Sequence, residues 1–139
     1  MSRGWKQLAD NLGKLAGISS RLTKPVAERF NTLLATEFTT GTDPYGTPWV
    51  PLKPSTVKRK GHATIMVDSG ATQDQTRAIV LSGAGIGFVS TKQAGYHMVG
   101  RDGRPARPVF PRRSTLPDQW QDVIRDEWSK IFQSTFRRL

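Results

Sequence analysis

The side chains able to do acid–base or metal chemistry in this chain are few and scattered. Its two histidines, His62 and His97, lie in different segments. A site of both histidines with Asp68 or Asp102 can be drawn, but no His-x-x-x-His or comparable spacing puts the imidazoles on one helical face. No Gly-x-Ser-x-Gly elbow presents a serine nucleophile. There is no cysteine, so thiolate chemistry, a disulfide framework and a Cys-based metal site are all excluded. Asp118, Asp122 and Asp126 recur four residues apart, which lines them along one side of a helix as a solvent face. Gly83, Gly85 and Gly87 lack the strand–turn–helix setting of a nucleotide fingerprint and read as a glycine-rich hairpin. The expectation is a non-enzymatic protein with no cofactor and no metal.

Charge is the stronger signal. Lys and Arg number 21 against 11 Asp and Glu, a net charge of +10. Such an excess favours acidic partners and opposes self-association unless the charge sits on one surface. Two basic clusters carry much of it: Lys53, Lys58, Arg59 and Lys60, then Arg101, Arg104, Arg107, Arg112 and Arg113. Both fall in loop-like segments with few acids nearby. Phosphate contact by such loops carries no base information. The aromatic residues lie mostly on helices, so no base-stacking platform is evident. Acidic faces of protein partners are favoured over dedicated DNA binding, which stands as the alternative.

The elements that must position these residues follow from apolar spacing. Trp5, Leu8, Leu12 and Leu15 have helical spacing, with Gly13 and Gly17 weakening the segment, so residues 1–22 read as a flexible or partner-ordered arm. Val26, Phe30, Leu33, Leu34 and Phe38 form a firmer stripe over 25–38, with Thr23 as a candidate cap and Pro25 in the first turn. From 42 to 61, Pro44, Gly46, Pro48, Pro51 and Pro54 forbid a long helix or a central strand. Trp49, Val50 and Leu52 nonetheless suit a loop laid over a core, and 55–61 reads as a short basic turn of helix or loop. Residues 64–67, 76–81, 85–90 and 95–99 are candidate strands, the middle two joined as a hairpin through Ser82-Gly83-Ala84-Gly85. Residues 100–113 form a Gly/Pro/Arg-rich loop. The last element is the clearest. Trp120, Val123, Ile124, Trp128, Ile131, Phe132 and Phe136 recur at three- and four-residue steps, with Thr115 as candidate N-cap and Pro117 in the first turn. Asp118 and Asp122 near its start, and Arg137 and Arg138 at its end, complement the helix dipole.

The chain of 139 residues is therefore expected to form one α+β domain. Its small, mostly antiparallel sheet is flanked by an N-terminal helix and a long C-terminal amphipathic helix, with long Pro/Gly-rich loops. No run approaches the length needed to cross a bilayer.

Residues 42–59, TDPYGTPWVPLKPSTVKR, resemble the signature of the phage virion morphogenesis family, the tail-completion proteins similar to protein G of phage Mu. That pattern reads D-P-x-G-x-x-W-x-P-L-K-x-x-T. Asp43, Pro44, Gly46, Trp49, Pro51, Leu52, Lys53 and Thr56 match it, and Lys58–Lys60 repeat its basic follow-on. Residues 65–70 (IMVDSG), 96–100 (YHMVG) and 104–110 (RPARPVF) resemble later family blocks in the same order, although Thr72 stands where the family usually has Leu. The resemblance implies a structural virion protein of the neck or tail, active in tail completion or head–tail joining. It further implies a homo-oligomeric ring, a hexamer or a twelvefold assembly, touching portal, adaptor or tail-tube proteins. The protein would be made in the host cytoplasm and end in the virion, with DNA passing the ring and no membrane involved.

Physical chemistry gives the matching residues structural and subunit-contact roles. Asp43 caps a turn, Pro44 presets φ and Gly46 takes a positive φ. Trp49 and Leu52 anchor the loop on the core. Arg107, between prolines, is expected to pair with a carboxylate of its own or an adjacent subunit.

Overall fold

The computed structural model describes residues 3–66, 70–81, 85–112 and 114–137. Along them run α1 (Arg3–Thr40), α2 (Pro54–Lys60), α3 (Ala71–Gln75), β1 (Arg77–Val80), β2 (Ile86–Val89), α4 (Lys92–Val99) and α5 (Asp118–Phe136). The class is α+β, with two long helices bracketing a two-stranded antiparallel sheet.

Where an arm and a separate helix were expected, there is one continuous helix of 38 residues. The reason is a stripe that never breaks: Leu15, Ile18, Leu22, Val26, Phe30, Leu34 and Phe38 step by three or four straight through Gly17 and Pro25. Pro25 cannot donate to the Arg21 carbonyl, a loss of about 3 kcal/mol in an unsupported helix interior. Val26, Ala27 and Phe30, all buried just beyond it, offset that loss by packing. Thr23 is not a cap. It lies mid-helix and buried, its hydroxyl donating to the Ser20 carbonyl at 3.2 Å. The helix stops at Gly41, which takes φ +70 and sends its N–H to the Glu37 carbonyl at 2.7 Å.

Helix α5 runs antiparallel to α1. Arg21 reaches Thr135 Oγ1 at 2.8 Å near one end, Arg29 pairs with Asp126 and with Glu127 in the middle, and Phe30 lies against Trp120 with ring centroids 4.4 Å apart. Pro117, not Thr115, occupies the N-cap, its carbonyl accepting from Trp120 and Gln121 at 3.0 Å each. A proline suits that place because its φ is already set and its missing N–H would have lacked a helical partner. Asp118 sits in the first turn as expected; Arg138 lies outside the described residues.

Strands β1 and β2 pair with Arg77 opposite Val89 and Val80 opposite Ile86, so the expected hairpin forms; residues 82–84 of its turn lie outside the described residues. On the far side of β1, the Asn31 amide accepts from Ala78 N at 2.7 Å and donates to Ala78 O at 3.2 Å. Two expected strands are absent from the described residues. Residues 65–66 form a turn in which Met66 takes φ +60, a left-handed conformation that cannot extend a strand, while Val67 lies outside the described residues. Residues 95–99 belong to α4, capped by Thr91, whose hydroxyl accepts from Ala94 N at 3.3 Å. Ala94, fully buried, and Met98 lie four apart and so share one helical face.

The core gathers Val26, Ala27, Phe30, Leu34 and Phe38 of α1, Trp120 and Val123 of α5, Ala78 of β1, and two loop residues, Trp49 and Val109. Phe88 bridges Phe110 at 5.0 Å and Trp120 at 5.7 Å, closing the aromatic cluster. No helix among the described residues is long and apolar enough to cross a membrane.

Candidate functional site

The segment that resembles the phage family folds as a self-braced turn. One oxygen of Asp43 accepts from the N–H groups of Tyr45 and Thr47, both at 2.9 Å. Gly46, at φ +86, returns its N–H to the Asp43 carbonyl at 3.0 Å. Trp49 N then bonds to the Gly41 carbonyl at 2.8 Å, tying the turn to the end of α1. These are the turn roles expected for Asp43 and Gly46, and Pro44 between them is buried.

This turn is laced to the loop at 100–112. Trp49, 4% exposed, lies edge-on to Phe38 and donates Nε1–H to the Pro108 carbonyl at 2.8 Å. Arg107, 7% exposed, donates from Nε to the Val50 carbonyl at 2.8 Å and from a terminal nitrogen to the Pro51 carbonyl at 3.2 Å. Its expected carboxylate partner is therefore replaced by main-chain oxygens. Beyond the bridge between Thr42 and Pro48, prolines at 51 and 54 keep the stretch from extending that pairing, and a guanidinium has the donors to satisfy the carbonyls left over. Burial lowers the Arg107 pKa from its ordinary value. Gly100 makes the return possible: at φ +70, an added Cβ would stand 2.7 Å from the Arg104 carbonyl oxygen.

No family model, curated protein or solved structure matches the chain.

The basic clusters divide on inspection. Lys58, Arg59 and Lys60 form the last turn of α2, where cations complement the helix dipole, and Lys53 stands exposed at its N-cap. Lys60 is tied to the Thr64 carbonyl at 2.8 Å. Arg101 lies over the Tyr96 ring at 4.9 Å, Arg112 donates to the Met98 carbonyl at 2.9 Å, and Arg104 is exposed. Arg113 lies outside the described residues, and Leu52 is half-buried. The clusters are thus partly structural, with Arg107 wholly so.

His62 and His97 do not converge into a metal site. Among the described residues, no three His, Asp or Glu side chains are grouped to hold an ion, and Asp68 lies outside them. Burial, then the charges of Arg107 and Arg104, lower the His97 pKa.

Two features remain, and sequence reasoning missed the second. The first bears on the partner-ordered arm expected at 1–22: its apolar stripe lies on a helix that outruns its partner. Trp5 is 65% exposed and Leu12 57%, with Leu8 and Leu15 also open, while the first buried residue of the helix is Ile18. At about 1.5 Å per residue, the exposed portion reaches roughly 20 Å. The second is Glu37, which is 5% exposed, with neither carboxyl oxygen hydrogen-bonded among the described residues. Burial, reinforced by the Asp43 carboxylate, pushes its pKa up to about 9. A signal was available: Glu37 stands one turn beyond Leu33 and Leu34, on the side of the helix that carries the apolar stripe.

Proposed function

We propose that this chain is a structural subunit of a bacteriophage neck or tail, acting in tail completion or head–tail joining as one member of an oligomeric ring. The exposed stripe of Trp5, Leu8, Leu12 and Leu15 on the projecting end of α1 carries the reading. An amphipathic helix end with its apolar side in water has its natural complement in another polypeptide. The braced turn at 43–49 supports it: the residues that resemble the phage family hold a loop in one geometry and surround no reacting group. The mechanism is assembly, with no catalytic step, cofactor or metal assigned. Partners are further copies of the chain and adjoining neck, portal, adaptor or tail-tube proteins, in the virion after assembly in the host cytoplasm.

Native mass spectrometry of the protein, alone and with tail tubes or portal, tests this. Rings or specific complexes are expected, and Trp5→Ala with Leu12→Ala should abolish them. A monomer under every condition would sink the reading.

The alternative is a small basic DNA-binding module, favoured by the exposed Lys53, Lys58, Arg101 and Arg104. It requires duplex affinity that falls steeply with salt, several counterions being released per protein bound.

A further inference from the structure

Between the C-terminal end of α1, the turn at 42–46 and the start of α5 lies an open cavity of about 640 Å³. We propose that it binds an organic cation, a guanidinium or ammonium group carried on a short alkyl stem. The inference stands on the cavity itself and is independent of the neck reading.

The lining sets the chemistry. Glu37, Asp43 and Asp118 supply three carboxyl groups, and no Lys, Arg or His is among the described residues that line the cavity. In a chain of net charge +10, that is a local inversion of sign. Leu33, Pro44 and Leu116 offer apolar wall for an alkyl stem, while Thr40 and Thr42 add hydroxyl oxygens. A hard metal ion is a poor fit, because the carboxyl groups are not gathered to the spacing of a coordination shell. A guanidinium or ammonium group tolerates more widely spaced acceptors.

Glu37 turns a merely acidic hollow into a receptor. Its carboxyl is nine-tenths buried and both oxygens lack partners among the described residues, whereas Asp43 already spends one oxygen on its turn. An unsatisfied buried carboxyl is unfavourable; its oxygens lie out of reach of water, and a turn of the Glu37 side chain toward the cavity would bring them to a cationic donor there. The charged or titratable groups facing it are Asp43 and Tyr45 from the turn and Asp118 from α5. With its pKa raised to about 9, Glu37 holds a proton when the cavity is empty and releases it to solvent as the cation binds. Affinity should therefore climb with pH, by up to about tenfold per unit below that value.

The test uses methylguanidine and putrescine, titrated into the full-length protein by calorimetry and by NMR of side-chain carboxyl carbons. Saturable binding is expected, with a shift of the Glu37 resonance and proton release into buffer. Glu37→Gln should weaken it about tenfold or more. Asp118→Asn, an exposed change that leaves the core alone, should weaken it about two- to threefold. Two sources of the cation then separate. If it is an Arg or Lys side chain of another copy, methylguanidine and Glu37→Gln will both dissolve the protein's oligomers. If it is a free polyamine, oligomers will be indifferent and the amine will be recovered from the purified protein. Responses no different from sodium chloride at equal ionic strength, or binding that survives Glu37→Gln in a folded protein, would mean a hydrated cavity only and overturn the proposal.

Discussion

The two halves of α1 share a spacing and part company in everything else. From Ile18 onward, the stripe is buried against α5 and β1; Ile18 and Val26 are each 2% exposed and Leu34 1%. Before Gly17 the same three- and four-residue steps place Trp5, Leu8, Leu12 and Leu15 in solvent. Periodicity therefore specifies a helix without specifying what the helix meets. The half with a partner in its own chain supplies the core, and the other half keeps its stripe in solvent.

The contrast can be broken or sharpened by mutation. The largest effect is expected on the buried side. Trp49→Ala empties the space beside Phe38 and leaves the Pro108 carbonyl without its indole donor, at a loss of about 3–5 kcal/mol in urea unfolding. Arg107→Lys comes next, at about 2 kcal/mol, because an ammonium cannot reproduce the fork that spans the Val50 and Pro51 carbonyls. Unchanged stability in that variant would show that the lacing of the two loops is incidental.

Glu37→Gln goes the other way. The folded pKa of about 9 lies above the ordinary 4.5, so the fold keeps a proton that the unfolded chain gives up. The stability linked to that proton is full below pH 4.5 and drains as pH rises toward 9. Glutamine is neutral throughout, so the variant should gain about 2 kcal/mol at pH 7 and lose that pH slope. Identical pH–stability curves for both proteins would show that Glu37 is ionised and satisfied in the fold. The smallest effect on folding belongs to the projecting end. Trp5→Ala and Leu12→Ala should each move stability by no more than about 0.5 kcal/mol. A loss of several kcal/mol would show that this half has a partner within the chain after all.

Much of this layout is legible in the residues. The aromatic steps from Trp120 to Phe136 announce α5, and the 76–81 and 85–90 segments announce the hairpin. The turn at Asp43 follows from side chains whose preferences are local and strong. What resisted reading depended on neighbours distant in sequence. Pro25 looks like a boundary until the packing of Val26 and Phe30 is known to carry the helix through it. Residues 95–99 resemble a strand until the Thr91 cap and Ala94 are placed on the same turn. The acceptors for Arg107 could not be foreseen, because main-chain carbonyls are invisible in a list of side chains. Glu37 was not singled out, and the cavity it lines exists only once the Asp43 turn and the first turn of α5 come together.

Asn31 has a consequence for how copies of this chain can meet. By holding both the N–H and the C=O of Ala78, its amide occupies the pairing position that an incoming strand would need on the outer side of β1. A two-stranded sheet is otherwise an open template for edge-to-edge growth. Here that side is plugged at Ala78 by a side chain from the helix beneath it, so an incoming strand finds no free N–H or C=O at that residue of β1.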